Sequence, residues 1–345
     1  MRKTKIVATL GPASRDVEML EKLLRAGVDI FRLNFSQADW DEQQARVDNI
    51  RTASQNTGLP VQIMQDLPGP KIRLGNFGTE TIELAAGDIF TLTTDDIVGD
   101  RTRVSVNYPL LPSEVSLGNF VYIDDGKIKM EVVEIKGNDV VCKVLVGGMV
   151  SGQKGLNLPG SKLSVKSLTE KDIADLEFGI ANKVDFVALS FVRAATDILE
   201  LRKILNERDC SAKIVAKIET PQAMQNIDAI IAAADWLMVA RGDLAIETPF
   251  EKVPIEQKII TEKCNAAGKP TIIATQMMES MVENATPTRA EVSDVANAVL
   301  DGAEAVMLSE ETAMGKHPVE VVTDMAKIIE ETERDAGLVK NEIGG

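Results

Sequence analysis

Histidine is almost absent from this sequence: His317 is the single one in 345 residues. That excludes sites built from several histidines and leaves one candidate for a Ser-His-Asp arrangement. It stands in Gly315-Lys316-His317-Pro318, and proline suits the first turn of a helix, so His317 reads as a loop residue and not as a catalyst. Cysteine is scarce too. Cys142, Cys210 and Cys264 form no CxxC pair, so neither a disulfide framework nor a zinc site is expected and the compartment reads as reducing. No run approaches the roughly 20 apolar residues of a membrane helix. The basic start Met1-Arg2-Lys3-Thr4-Lys5 leads into an apolar run too short for a signal peptide, so a cytoplasmic protein is expected. Positive charge is in deficit, 38 Lys and Arg against 53 Asp and Glu, for a net charge of -15. Nucleic-acid backbones and anionic membranes need a basic face, so neither is expected as a partner, and any phosphorylated ligand must be held by local cations or a metal.

What the chain does have is a recurring pattern, an apolar run that ends abruptly in polar groups. Lys213-Ile214-Val215-Ala216-Lys217-Ile218-Glu219 is the most informative instance. Alternation along a strand puts Lys213, Val215, Lys217 and Glu219 on one face. Lysine and glutamate are costly in a buried strand unless paired or binding something, so Lys217 and Glu219 mark a site. The pattern recurs at Lys5–Leu10, Ile30–Ser36, Val61–Asp66, Phe186–Ser190, Trp236–Asp243, Thr271–Thr275 and Ala305–Ser309. Eight such runs, mostly separated by amphipathic helical stretches, predict an α/β fold, a (β/α)8 TIM barrel with its chemistry at the strand ends.

Between about Leu74 and Val165 the period changes to two, in short segments such as Thr81–Leu84, Phe90–Thr93, Arg103–Val106 and Phe120–Ile123. Lys127–Val133 and Val140–Val146 flank Lys136-Gly137-Asn138-Asp139, a hairpin turn. The expected organisation is a barrel over 1–69 and 168–345 with an inserted all-β domain after the third barrel strand, a small β-barrel over 70–167 hinged as a lid. Thr169 and Asp172 fit a capping box where the barrel resumes, with Leu168 and Ile173 placed as a hydrophobic staple.

Glu219 and Asp243, at the ends of neighbouring strand runs, suit Mg2+ or Mn2+; equally, each carboxylate can cap a helix or pair with Lys217. Arg32, Arg73, Lys154 and Lys217 are available to neutralise phosphates, and Arg32 and Lys217 interrupt apolar strands. No GxxxxGK[ST] loop is present: the glycines and lysine of Gly148-Met149-Val150-Ser151-Gly152-Gln153-Lys154 are out of register.

With these residues in place, the chain resembles the pyruvate kinases over essentially its whole length. The matching stretches are KTKIVATLGP (3–12), RLNFS (32–36), GPKIR (69–73), KGLNLPG (154–160), KIE (217–219), ARGDL (240–244), ATQMMESM (274–281), PTRAE (287–291) and DVANAVLDG (294–302). The resemblance implies a phosphotransferase that moves the phosphoryl group of phosphoenolpyruvate to ADP, giving pyruvate and ATP in glycolysis. It implies that Glu219 and Asp243 hold Mg2+ or Mn2+ and that Lys217 stabilises the transferring group. Arg32 and Arg73 would contact phosphates, with Asn34, Ser36 and Lys154 on the nucleotide side, and Gly242, Asp243 and Thr275 would surround the substrate's carboxylate and enolate. Thr275, Ser309 and Glu311 are candidates for the chain that delivers a proton to that enolate. A homodimer or homotetramer is compatible with the resemblance.

The departures also carry expectations. Asp66-Leu67-Pro68-Gly69-Pro70-Lys71-Ile72-Arg73 has leucine for the family's potassium-binding threonine and lysine for its glutamate. This resembles the potassium-independent branch, with the Lys71 ammonium in place of K+; Asn34, Ser36 and Asp66 keep residual potassium binding open. Gln37-Ala38, Ala245 and Glu310 replace family residues, and Glu310 adds negative charge beside the proton chain. The alternative they raise is a catalytically weak metabolite-binding or regulatory paralogue. A metal-dependent lyase of the same substrates leaves the β-domain and Lys154 unexplained. A helix from Val319 to about Glu333 closes the barrel and the sequence ends at Gly345. The family's usual C-terminal regulatory domain is therefore read as absent, with no response to fructose 1,6-bisphosphate expected.

Overall fold

The computed structural model describes residues 2–36, 39–161 and 163–337; Gln37 and Ala38, noted above as departures, lie outside the described residues. Eight parallel strands close into a barrel: β1 Lys5–Thr9, β2 Ile30–Asn34, β3 Gln62–Leu67, β4 Phe186–Leu189, β5 Lys213–Ile218, β6 Trp236–Ala240, β7 Thr271–Ala274 and β8 Ala305–Leu308. Their main partners in the wall are helices α1 Val17–Ala26, α2 Trp40–Thr57, α3 Glu170–Ala181, α4 Ala195–Glu207, α5 Ile227–Ala233, α6 Val253–Ala266, α7 Arg289–Leu300 and α8 Pro318–Asp335. The seam is made by β1 and β8, with Lys5 opposite Ala305 and Ala8 opposite Leu308.

The strands are apolar on both faces because one face packs on helices and the other fills the barrel. Val7, Ile30, Met64, Phe186, Val215, Trp236 and Ile272 are among the buried side chains that form the inner cluster. Phe186 meets Trp236 edge to face at 5.2 Å between centroids, a contact worth about 1 kcal/mol beyond its area. Two residues further along the same strands the inward positions turn polar: Ile30 gives way to Arg32, Met64 to Asp66 and Val215 to Lys217. The core thus ends in charge at the carboxyl ends of β2, β3 and β5. Lys213, expected on the same face, is exposed at the amino end of β5.

Helix starts follow local chemistry. Thr169 accepts from the N–H of Asp172 while Asp172 takes the Thr169 N–H at 2.8 Å, the expected capping box. Leu168 is buried, but Ile173 is 39% exposed, so the staple has only its Leu168 half buried. His317 is the residue before Pro318, which opens α8.

One boundary differs from expectation. β6 stops at Ala240, and Arg241–Glu247 form a short helix, so Gly242 and Asp243 are helical and do not lie on the strand end.

The segment after β3 contains strands Thr81–Leu84, Ile89–Thr93, Arg103–Ser105, Phe120–Ile123, Ile128–Lys136, Asp139–Val146, Gly148–Ser151 and Leu156–Asn157. Ile128–Lys136 and Asp139–Val146 form the expected hairpin, with Gly137 at φ 60° supplying the left-handed turn residue. Hydrogen bonding leaves a six-stranded sheet and a two-stranded ribbon, Thr81–Leu84 with Gly148–Ser151, where a closed barrel was expected. Both contribute to one core that includes Phe90, Val121, Met130, Val144 and Val150. By contacts the chain divides into two compact units, 1–69 with 167–241 and 253–345, and 70–166 with 242–252. Among the described residues, no helix is long and apolar enough to cross a membrane.

Candidate active site

In the barrel unit the polar ends of β2, β3 and β5 converge on Asp66. Arg32 Nε donates to Asp66 Oδ2 at 2.7 Å, and Lys217 Nζ lies 3.2 Å from Oδ1. Lys217 Nζ also reaches Ser190 Oγ at 2.7 Å and Glu219 Oε1 at 3.1 Å. Ser190 in turn donates to the Leu67 carbonyl, and Arg32 Nη1 donates to Thr9 Oγ1 at 3.1 Å. Glu219 is fully buried, Asp66 is 2% exposed and Lys217 8%. Two cations and two carboxylates therefore share one desolvated cluster. Burial alone pushes the Asp66 carboxyl up, but the Lys217 and Arg32 charges outweigh it and hold it below the usual carboxylate value.

Phe191 sets Glu219 from the other side. At φ 53°, uncommon for a bulky residue, it aims its N–H at Glu219 Oε2, 2.6 Å away. Sequence reading found Arg32, Lys217 and Glu219 but gave no part to Ser190, Thr9 or Phe191, and saw Asp66 only as a potassium contact.

A second group surrounds the turn after β7. Thr275 and Gln276 both have positive φ, 74° and 56°, a strained pair for residues that are not glycine. The Thr275 carbonyl accepts from Arg241 Nη2 at 2.7 Å and Nε at 3.1 Å, while Arg241 Nη1 donates to both oxygens of Asp294 at 2.9 and 2.7 Å. Glu311 is 2% exposed and accepts the N–H groups of Ser309 at 2.7 Å and Met278 at 3.2 Å. Burial pushes its carboxyl up against the pull of those donors, and Glu279 adds to the rise. Glu310 is exposed. Asn34 Oδ1 takes the Ser36 N–H at 3.0 Å, so this pair forms its own turn.

The remaining expected residues belong to the second unit. Arg73 and Lys154 stand on neighbouring backbone there: Leu74 N–H donates to the Lys154 carbonyl at 2.9 Å, and Arg73 Nη1 to the Gln153 carbonyl at 2.9 Å. Lys154 Nζ is 2.8 Å from Asp124 and, as a hydrogen-bond donor, is the main cause that holds that carboxyl below its usual value. Lys71 is exposed. Gly242 and Asp243 lie in the short helix, which ends in Glu247; Asn157 Nδ2 donates to Glu247 at 3.1 Å. Burial, with Asp243 one turn away, pushes the Glu247 carboxyl to about 7.

No cluster of three metal-ligating side chains occurs among the described residues. Glu219, already oriented by Lys217 and Phe191, offers carboxylate oxygen, the donor a hard divalent cation prefers, and Asp243 offers the same donor type within the second unit.

The comparisons agree with one another. The family model for the pyruvate kinase barrel domain matches residues 1–322. The pyruvate kinase of Geobacillus stearothermophilus is 48% identical over 336 residues, 96% of this chain and 57% of that protein. The pyruvate kinase of Thermotoga maritima is 44% identical over 97% of this chain and 72% of its own length. Among solved structures, a pyruvate kinase from Cryptosporidium parvum superposes with a TM-score of 0.93 at 42% identity, covering 96% of this chain and 70% of that one. This chain thus spans little more than half of the Geobacillus protein, and over that span the shared fold and sequence establish that it belongs to the pyruvate kinase family.

Proposed function

We propose that this chain transfers the phosphoryl group of phosphoenolpyruvate to ADP, forming pyruvate and ATP. The observation that carries the reading is the buried cluster of Arg32, Asp66, Lys217 and Glu219 at the carboxyl ends of the barrel strands, where TIM-barrel enzymes hold their chemistry. Phosphoryl transfer asks mainly for positioning and charge neutralisation, and a lysine in a low-dielectric site supplies both.

Lys217 is assigned to the transferring phosphoryl group, with Arg32 and Arg73 on phosphate oxygens. Asn34, Ser36 and Lys154 are assigned to the nucleotide, and Gly242, Asp243 and Thr275 to the carboxylate and enolate of the substrate. Glu219 and Asp243 would hold Mg2+ or Mn2+, which when bound neutralises phosphate charge and polarises the enolate oxygen. Glu311, whose carboxyl burial pushes upward, and Ser309 are assigned with Thr275 to the proton that converts enolpyruvate to pyruvate. Lys71 is assigned the place of a monovalent cation, which makes the reaction independent of potassium. The scattered thiols support a reducing, cytoplasmic setting.

The test is pyruvate formation from phosphoenolpyruvate with Mg2+, with and without ADP, first in potassium-free buffer and then with added potassium. ADP-dependent turnover in both buffers supports the whole reading. Turnover only with potassium removes the role of Lys71, and binding of both substrates without turnover overturns the catalytic assignment.

A further inference from the structure

The amino ends of β3, β4 and β5, opposite the charged cluster, enclose a half-open cavity of about 470 Å³. Its apolar lining comes from Ile180, Val184 and Ala212, and its charged lining includes Lys183, Asp209 and Lys213. The amino face of a TIM barrel ordinarily serves stability, and stability alone does not explain the residues chosen here.

The helix ends supply the first argument. Helices α1, α2, α6, α7 and α8 are each followed within two residues by a glycine of positive φ, namely Gly27, Gly58, Gly268, Gly302 and Gly337. That is the residue a left-handed helix stop favours, because any Cβ is strained there. Only α3 and α4 stop on side-chain-bearing residues of that conformation, Lys183 and Asp209, both at φ 50°. Both of these line the one cavity. Strained positions are retained where the side chain has work to do.

Charge supplies the second. The chain carries a net charge of -15, yet Lys183, Arg208 and Lys213 gather at this opening. Arg208 is balanced by Glu177 at 3.1 Å, and Asp185 is engaged by the N–H of Ile63 at 2.8 Å. Among the described residues no carboxylate lies within ion-pair distance of Lys183 or Lys213. Asp209 is the remaining carboxylate of the lining; the two ammonium groups and the apolar floor beside it suit a small anionic ligand.

We propose that this cavity binds a compact dianion, a phosphate monoester or a dicarboxylate, between Lys183 and Lys213. The site is separate from the phosphoryl-transfer site and does not depend on that assignment.

Cys210, in the same lining and partly exposed, makes the proposal measurable. Cys142 and Cys264 are buried, and burial pushes both thiols to about 12, so an alkylating reagent meets them far more slowly. The experiment follows alkylation of Cys210 by the neutral reagent N-ethylmaleimide, read by peptide mass spectrometry, while inorganic phosphate or malonate is titrated against chloride at constant ionic strength. Saturable protection is expected, with labelling slowed about tenfold when the anion stands at ten times its dissociation constant. The anion that saturates at the lower concentration tells a phosphate ligand from a dicarboxylate. Lys183→Gly should abolish protection while raising the unfolding temperature, since glycine relieves the left-handed strain; Lys213→Gln should abolish it without that rise. Protection no greater than that given by chloride overturns the proposal, as does protection that survives both substitutions.

Discussion

Arg241 grips the carbonyl of Thr275, with Nη2 at 2.7 Å and Nε at 3.1 Å, from a guanidinium anchored on Asp294. Thr275 stands at φ 74°, a conformation a β-branched residue does not hold unaided. The clamp therefore fixes the backbone of a residue assigned to the substrate. Lysine keeps the charge and loses the fork. Arg241→Lys should lower kcat by about 10²-fold, the scale of a small misplacement of a reacting group, with a KM for ADP close to wild type. Steady-state kinetics with each substrate varied in turn checks the split.

Lys217 separates two buried carboxylates, and its removal strikes both stability and turnover. Lys217→Met leaves Asp66 and Glu219 without their shared cation, a loss of about 3 kcal/mol for a broken buried pair. By comparison with loss of an arginine finger, turnover should fall roughly 10³-fold or more. Urea unfolding and the coupled pyruvate assay read the two effects separately, and a near-normal rate would remove Lys217 from the mechanism.

Asp66 makes the barrel acid-sensitive. Its carboxyl is held below the ordinary value of 3.8 in the folded state, so its contribution is fully present above that value. The contribution is lost as pH falls further, through the lowered folded value. The stability gap between wild type and Asp66→Asn should stay constant from neutral pH down to the ordinary value and narrow below it. Denaturant unfolding over that range tests this.

Glu247 has the opposite sign. Its carboxyl moves from 4.5 to about 7 on folding, so the folded state favours the proton and stability declines as pH rises between those values, then levels. Glu247→Gln removes that decline while leaving an oxygen to accept from Asn157. In chelator, the variant should match wild type near the lower value. At pH 8 it should be the more stable, by on the order of 2 kcal/mol after allowance for the side chain's partial exposure. Thermal unfolding at the two pH values gives the answer.

The eight strands were legible because each is a mainly apolar run with a polar stop, a signal that needs no knowledge of neighbours. Arg32 and Lys217 were legible because they interrupt those runs, and Glu219 because it is the polar stop after β5. Their joint dependence on Asp66 was not, since it follows from strand adjacency and tilt, which place residues 32, 66 and 217 around one point. The end of β6 was misjudged because Arg241-Gly242-Asp243 continues the polar stop seen elsewhere, while the helical sign came later, in Thr248 bonding back to Leu244. Asp294 lies 53 residues from Arg241 in sequence, beyond any local pattern. The strands Gly148–Ser151 and Leu156–Asn157 are too short for periodicity to detect.

The seam between β1 and β8 imposes an order on biosynthesis. Residues 5–8 find their second neighbour in residues 305–308, and the N–H groups of Lys3 and Thr4 are received by Glu333. Of the eight barrel strands, the first to be synthesised is thus the last to be enclosed. At about 5–20 residues per second, its open edge waits tens of seconds for a partner. Throughout that interval Ile6-Val7-Ala8 is a bare strand edge, the kind of surface that invites pairing with other chains. Chaperone dependence in the cell is therefore expected to centre on Ile6-Val7-Ala8, even though in the finished barrel they are among the best buried.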